Sequence, residues 1–211
     1  MGQDYVFDDF LLAEFTSSNT LIAGVDEVGR GSLFGSVVAA SVVVTNDKIP
    51  QLIEIGVKDS KKLSAQKRQE LVPSIKEIAL DCQVSFASVN EIDNINILQA
   101  SLLAMRRSIL SLDVAPDICL VDGKFLIPNL SLKQKTVIKG DSRSPVIAAA
   151  SILAKVWRDN LMIDLAKKYP EYNLAKNKGY PTAAHRLAIA KYGISAEHRR
   201  SFKSCRQSPS K

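Results

Sequence analysis

Cysteine is scarce in this chain of 211 residues. Cys82, Cys119 and Cys205 are the only three, and they form neither a CxxC pair nor a Cys/His cluster. A disulfide framework and a structural zinc site therefore have no support, which suits a reducing compartment. Histidine occurs only twice, at His185 and His198. The longest apolar runs, Val37–Val44 and Val146–Val156, fall far short of the ~20 residues needed to span a bilayer. The first residues lack the basic region and apolar stretch of a secretory signal, and Val6 stands where myristoylation wants Ser or Thr. No fixed-period repeat or low-complexity linker is present. These absences lead us to expect a cytoplasmic protein without a membrane contact.

Charge is plentiful but uneven. Residues 1–120 carry 10 Lys and Arg against 16 Asp and Glu, whereas residues 121–211 carry 18 against 6. The overall +6 thus divides into an acidic first part and a strongly basic second part. Such a division suggests a polyanionic partner, with an unevenly solvated surface as the plain alternative. The apolar share of 46% and charged share of 24% are ordinary for a globular domain.

Leu21–Val25 is a short apolar run ending at Asp26, and Ser36–Thr45 is rich in β-branched residues. Together they read as two tightly joined strands. Ser64–Leu80 reads as a helix capped by Ser64 and kinked or interrupted at Pro73. Cys82–Val89 reads as a third strand, and Ser88-Val-Asn-Glu91 as a capping box. Leu98, Leu102, Met105, Ile109 and Leu112 recur at steps of 4, 3, 4 and 3, the buried stripe of a helix. Ile118–Val121 and Lys135–Ile138 are short strands. Ala150, Leu153, Ala154, Trp157, Leu161 and Leu165 mark another helix, with Trp157 expected in the core. A further helix is capped by Thr182 and ended by Gly193. Ser201–Lys211 reads as a frayed polar tail. This order predicts an α/β fold: a mixed central sheet flanked by helices.

Three of these strands run out into acids: Asp26 and Glu27, then Asp122, then Asp141. Ligands of open α/β sheets gather beyond the carboxyl ends of strands. Four carboxylates meeting there repel one another unless a cation neutralises them. An all-oxygen set suits Mg²⁺ or Mn²⁺, and two such ions beside a basic surface are the usual equipment for phosphodiester hydrolysis. Taken singly, Asp122 before Gly123 reads first as a turn residue, and Asp141 is equally ambiguous. Neighbours on a strand point to opposite faces, so Asp26 and Glu27 share a site only if the strand ends or bends. Gly29-Arg-Gly31 supplies a bend, close backbone approach and a phosphate-seeking arginine, and it is not a dinucleotide fingerprint.

The segment Gly24-Val-Asp-Glu-Val-Gly-Arg-Gly31 resembles the signature of type 2 ribonuclease H, in particular bacterial ribonuclease HII. The resemblance continues through Asp59-Ser-Lys-Lys-Leu63, Glu91-Ile-Asp-Asn-Ile-Asn-Ile-Leu-Gln99, Val121-Asp-Gly123, Lys139-Gly-Asp-Ser142, Ala148-Ala-Ala-Ser-Ile-Leu-Ala-Lys155, Lys178-Gly-Tyr180 and His198-Arg-Arg-Ser-Phe202. It implies a ribonuclease H-like fold with a small C-terminal helical portion. Residues 1–211 would form one catalytic domain, with about 20–203 as the family core and 204–211 a flexible tail.

It also implies an endonuclease that cuts RNA in RNA–DNA hybrids and incises 5′ of single ribonucleotides in duplex DNA, leaving 3′-hydroxyl and 5′-phosphate ends. The family's metal ligands carry over to Asp26, Glu27, Asp122 and Asp141, with Mg²⁺ or Mn²⁺ at two sites. Recognition of the 2′-hydroxyl carries over to Gly29, Arg30 and Gly31, stacking on the neighbouring deoxyribose to Tyr180, and phosphate contacts to Ser60 and Lys61.

Ser32 and Ser36 stand where prolines are common, Phe34 where a small residue is usual, and Pro181 where glycine is common. These departures predict a looser or bulkier loop and a less firmly placed Tyr180 ring. Asp59 is read as a cap rather than a fifth ligand, Asp159 as a helical partner of Lys155, and the histidines as non-catalytic. The chain is expected to be monomeric. Gln207-Ser-Pro-Ser-Lys211 lacks the aromatic anchor of a sliding-clamp peptide, so no clamp contact is expected. The rivals are ribonuclease HIII, which usually carries an extra N-terminal domain, and a non-catalytic hybrid-binding module, which would not need four carboxylates.

Overall fold

The computed structural model describes residues 17–206. The expectations about the first residues and about Gln207–Lys211 lie outside it. In chain order the elements are β1 (Leu21–Val28), β2 (Val37–Thr45), α1 (Ile49–Glu54), α2 (Ala65–Ile78), β3 (Asp81–Ala87), α3 (Val89–Leu110), β4 (Ile118–Asp122), β5 (Gln134–Val137), α4 (Pro145–Lys168), α5 (Leu174–Asn177), α6 (Ala183–Tyr192) and α7 (Lys203–Arg206). The five strands form one mixed sheet in the order β3-β2-β1-β4-β5. The β1–β2 and β2–β3 pairs are antiparallel, while β4 runs parallel to both β1 and β5.

Both faces of the sheet are covered. Ile22, Ala40, Val42 and Val44 pack with Leu71, Ile75 and the first half of α4. Ala23, Val25, Ala39 and Val43 pack with Ala100, Met105 and Ile109 of α3. Residues Val37–Val44 of β2 are buried one after another, which explains a continuous β-branched run instead of an alternating one. Period two along β1 assigns Asp26 to the α4 side and Glu27 to the α3 side.

Gly24 is where β1 meets α4 most closely. A Cβ there would lie 2.5 Å from the carbonyl carbon of Val146 and 2.6 Å from Ile147 N, both backbone atoms that cannot swing aside. Gly24→Ala should therefore cost about 1–3 kcal/mol by forcing sheet and helix apart, read as a lower midpoint in urea.

Several expectations need correction. The first strand continues through Asp26 and Glu27 to Val28. Pro73 does not interrupt α2, because Leu71 and Ile75 are buried on either side of it and tertiary packing outweighs the lost backbone bond. The break falls in α3, at Asn96, whose φ is 69° and whose side chain caps Leu98 N and Gln99 N. The expected Leu98 stripe begins directly after it. The Ser88/Glu91 capping box is formed as read.

Trp157 is 38% exposed and stacks on the equally open ring of Phe86, so it is not core. The inward position is Arg158, four residues beyond Ala154 and four before Met162, and its exposure is 0%. Lys203–Arg206 is helical with Cys205 buried, so Ser201–Arg206 is no frayed tail. The carboxyl-terminal helices surround a small second core of Phe34, Met162, Tyr172, Leu174 and Ile189.

Candidate active site

The parallel register pairs Val25 with Val121, which sets Asp26 and Asp122 side by side where β4 ends. Oxygen atoms of Asp26, Glu27 and Asp122 all lie within 4.8 Å of one another. Glu27 leaves the opposite face of β1 and reaches the cluster with its longer side chain, so the strand need not end at Asp26. Asp122 Oδ1 accepts the Gly140 amide at 2.6 Å. Asp141 sits in the 3-10 turn Gly140–Ser142 before α4 and not at a strand end. It stands beside this set, with its Oδ2 held by Lys61 Nζ at 2.8 Å.

The electrostatics carry the same message. Burial, then the charges of Glu27 and Asp122, push the Asp26 carboxyl well above its usual range, against a hydrogen bond from Ser151. Burial also raises Glu27, opposed by Arg30, whose Nη1 is 3.1 Å from Glu27 Oε1. Burial raises Asp122, opposed by the Gly140 amide. A set of acids this reluctant to ionise together wants a cation. Its donors are all hard oxygens, which fit Mg²⁺ or Mn²⁺ and not Zn²⁺.

The acids open onto a cleft of about 200 Å³ lined also by Val28, Ser60, Lys61, Ser151, Lys155 and Tyr180. Ser60 is buried, its Oγ 3.0 Å from that of Ser151, while Lys61 is exposed apart from its ion pair. Asp59 caps the Ser60–Lys62 turn by accepting Lys61 N, as expected. Asp159 pairs with Lys155 at 2.6 Å and also meets Arg68. The sequence reading missed Ser151 and Lys155. Both stand on one face of α4, four residues apart and before the Arg158 position, and that spacing was available.

Beyond the acids, Gly29 has φ +92°, and a Cβ there would lie 2.2 Å from Arg158 Nε. A Cβ on Gly31 would lie 3.9 Å from the Tyr180 ring. The loop between β1 and β2 is stitched on two sides. Leu33 N donates to Gly179 O at 2.8 Å and Gly35 N to Glu197 O at 2.8 Å. Arg158 donates to Ser32 Oγ, Phe34 O, Ser36 O and Lys178 O. Arg199 donates to Arg30 O and Gly35 O. Arg158 and Arg199 are both fully buried, so these two members of the basic half brace the loop instead of gripping phosphate. The departures at Ser32, Phe34 and Ser36 do not loosen it. The Ser32 hydroxyl accepts from Arg158, Ser36 contributes only its main-chain carbonyl, and the Phe34 ring packs edge-on against His198 and Tyr169.

Both histidines are buried, away from the cleft lining. Burial lowers both, His198 to about 3. No described helix is long and apolar enough to cross a membrane.

A mixed five-stranded sheet flanked by helices, with acids at the ends of its two central parallel strands, is the ribonuclease H-like architecture. Among solved structures, ribonuclease H2 from Pyrococcus horikoshii OT3 superimposes with a TM-score of 0.76 at 29% identity, covering 89% of this chain and 96% of that one. Ribonuclease HII in the PCNA complex from Archaeoglobus fulgidus gives 0.74 at 30% identity, covering 87% and 95%. In sequence, ribonuclease HII of Acaryochloris marina is 57% identical over 187 residues, 89% of this chain and 94% of its own. That of Trichodesmium erythraeum is 56% identical over 188 residues, 89% of each. The ribonuclease HII family model matches residues 23–205. The chain belongs to the ribonuclease HII family and is a ribonuclease H enzyme, divalent-metal dependent and acting on RNA–DNA hybrids.

Proposed function

We propose that this enzyme incises duplex DNA 5′ of single embedded ribonucleotides, as well as cutting RNA tracts, and leaves 3′-hydroxyl and 5′-phosphate ends. The observation that supports this reading is that Tyr180 lines the cleft with Asp26, Glu27 and Asp122 while its ring faces Gly31. A junction between ribose and deoxyribose laid across the cleft would meet both at once.

Asp26, Glu27, Asp122 and Asp141 would hold the divalent ions. Two ions bound there would supply the activated water and the charge stabilisation at the leaving oxygen that hydrolysis needs. The backbone of Gly29, Arg30 and Gly31 would read the 2′-hydroxyl, the atom that separates RNA from DNA at one nucleotide. The Tyr180 ring would lie against the following deoxyribose, which has no hydroxyl to exclude it. Lys61 and Lys155 would hold phosphates along the cleft, with Ser60 beside them. The remaining lysines of the basic half would supply the salt-dependent grip on the duplex.

The test is incubation with a duplex carrying one ribonucleotide. With Mg²⁺ or Mn²⁺ we expect a single nick 5′ of the ribonucleotide, and none with chelator. Absence of a nick under both metals, while RNA tracts are still cut, would overturn the junction reading and favour an HIII-like specificity.

A further inference from the structure

The two buried histidines touch each other, and their surroundings fix which nitrogen holds each proton. Ser195 N lies 2.9 Å from His198 Nδ1. A main-chain amide can only donate, so that nitrogen accepts and neutral His198 carries its proton on Nε2. His198 Nε2 lies 3.3 Å from His185 Nε2, which must therefore accept. The His185 proton is then on Nδ1, which faces Tyr180 O at 3.0 Å. The chain of donors runs one way, from Ser195 through both rings to the main chain of Tyr180.

That main chain is held at both ends. Tyr180 O also accepts Thr182 N at 2.8 Å, and Tyr180 N donates to Asn177 O at 2.9 Å. The carbonyl of Tyr180 has two lone pairs, and His185 Nδ1–H is the donor that meets it beside the Thr182 amide. His198 meets the other recognition segment too. It forms an isolated antiparallel bridge with Phe34, whose ring stands edge-on at 4.8 Å. The pair thus joins the loop carrying Gly29, Arg30 and Gly31 to the segment carrying Tyr180.

We propose that His185 and His198 are positioning residues for junction recognition, their ordered neutral pair holding Tyr180 in register with the Gly29–Gly31 loop. This rests on the reading of Tyr180 as the residue that meets the deoxyribose. Burial that disfavours either charged ring agrees with it, since a charged His185 would set one N–H against another.

The experiment is a double-mutant cycle on the single-ribonucleotide duplex. His185→Leu should raise KM about tenfold while leaving kcat within about twofold, because the hydrogen bonds to Tyr180 O and from His198 are lost and the acids are untouched. His185→Asn, whose amide can still donate to Tyr180 O, should recover most of that loss. In a Tyr180→Ala background His185→Leu should add little. Additive effects, no recovery by Asn, or a fall in kcat alone would overturn the proposal. Should Tyr180→Ala itself leave KM unchanged, the reading of Tyr180 fails and the proposal falls with it. On the unmodified enzyme, long-range proton–nitrogen NMR should show His198 as the Nε2–H form and His185 as the Nδ1–H form. The opposite tautomer in either ring, or a charged ring at neutral pH, would also overturn it.

Discussion

Asp26→Asn should reduce hydrolysis at least about a thousandfold while affinity for a ribonucleotide-containing duplex survives. The amide keeps a shape close to the carboxyl and still accepts the Glu27 amide, which now reaches Asp26 Oδ1 at 2.7 Å. What it loses is the charge that a divalent ion needs. The same substitution should stabilise the metal-free protein. The Asp26 carboxyl is raised well above its ordinary value, first by burial and then by Glu27 and Asp122. The folded state therefore binds a proton that the unfolded chain releases, and wild-type stability falls as pH rises from the ordinary carboxylate range through the raised folded value. An uncharged amide at this position removes that slope. In chelator at neutral pH the variant should melt higher than wild type, and acidification should narrow the gap. A variant that cuts normally, or that melts lower in chelator, would contradict this account of the acids.

Arg158→Ala should be the most damaging change outside the acids. The guanidinium is fully buried and donates to three main-chain carbonyls and to Ser32 Oγ. Its pKa is lowered by burial, yet an arginine stays charged, and its cost is offset by these acceptors. Truncation leaves several buried carbonyls without donors and a void beneath Gly29. We expect a loss of about 3–5 kcal/mol, or a Tm roughly 10 °C lower, measured by thermal unfolding. Cleavage of single ribonucleotides should suffer more than cleavage of RNA tracts, because Arg158 braces both Ser32–Ser36 and Lys178. Equal losses on both substrates would mean that it acts on stability alone.

Much of this architecture was legible in the residues. Strand and helix composition located the sheet, and the Ser88/Glu91 box and Thr182 cap were formed where read. Acids following apolar strands pointed to the cleft, and the parallel register of β1 and β4 supplies the reason that Asp26 and Asp122 meet. Asp141 was read as a strand-end acid, whereas it stands in a 3-10 turn beside the Asp26, Glu27 and Asp122 set and pairs with Lys61, a contact across 80 residues that no local pattern encodes. The buried arginines were not legible from composition. A charge count does not separate a buried arginine from a solvated one, although the spacing of Ala154, Arg158 and Met162 places Arg158 on the inner row of α4. Trp157 was misread because a large apolar ring was assumed to be core. The break at Asn96 also escaped, because its cue is a left-handed asparagine and not a proline.

The central claim is that the acids at the end of β1 and β4 are the metal centre. Crystals grown with Mn²⁺ and a duplex containing one ribonucleotide test it most directly, through anomalous scattering from the ions. The account predicts anomalous peaks about 2.2 Å from carboxylate oxygens of Asp26, Glu27, Asp122 and Asp141, beside the phosphate 5′ of the ribonucleotide. Manganese bound elsewhere with the duplex seated on these acids, or a scissile phosphate lying away from them, would contradict it.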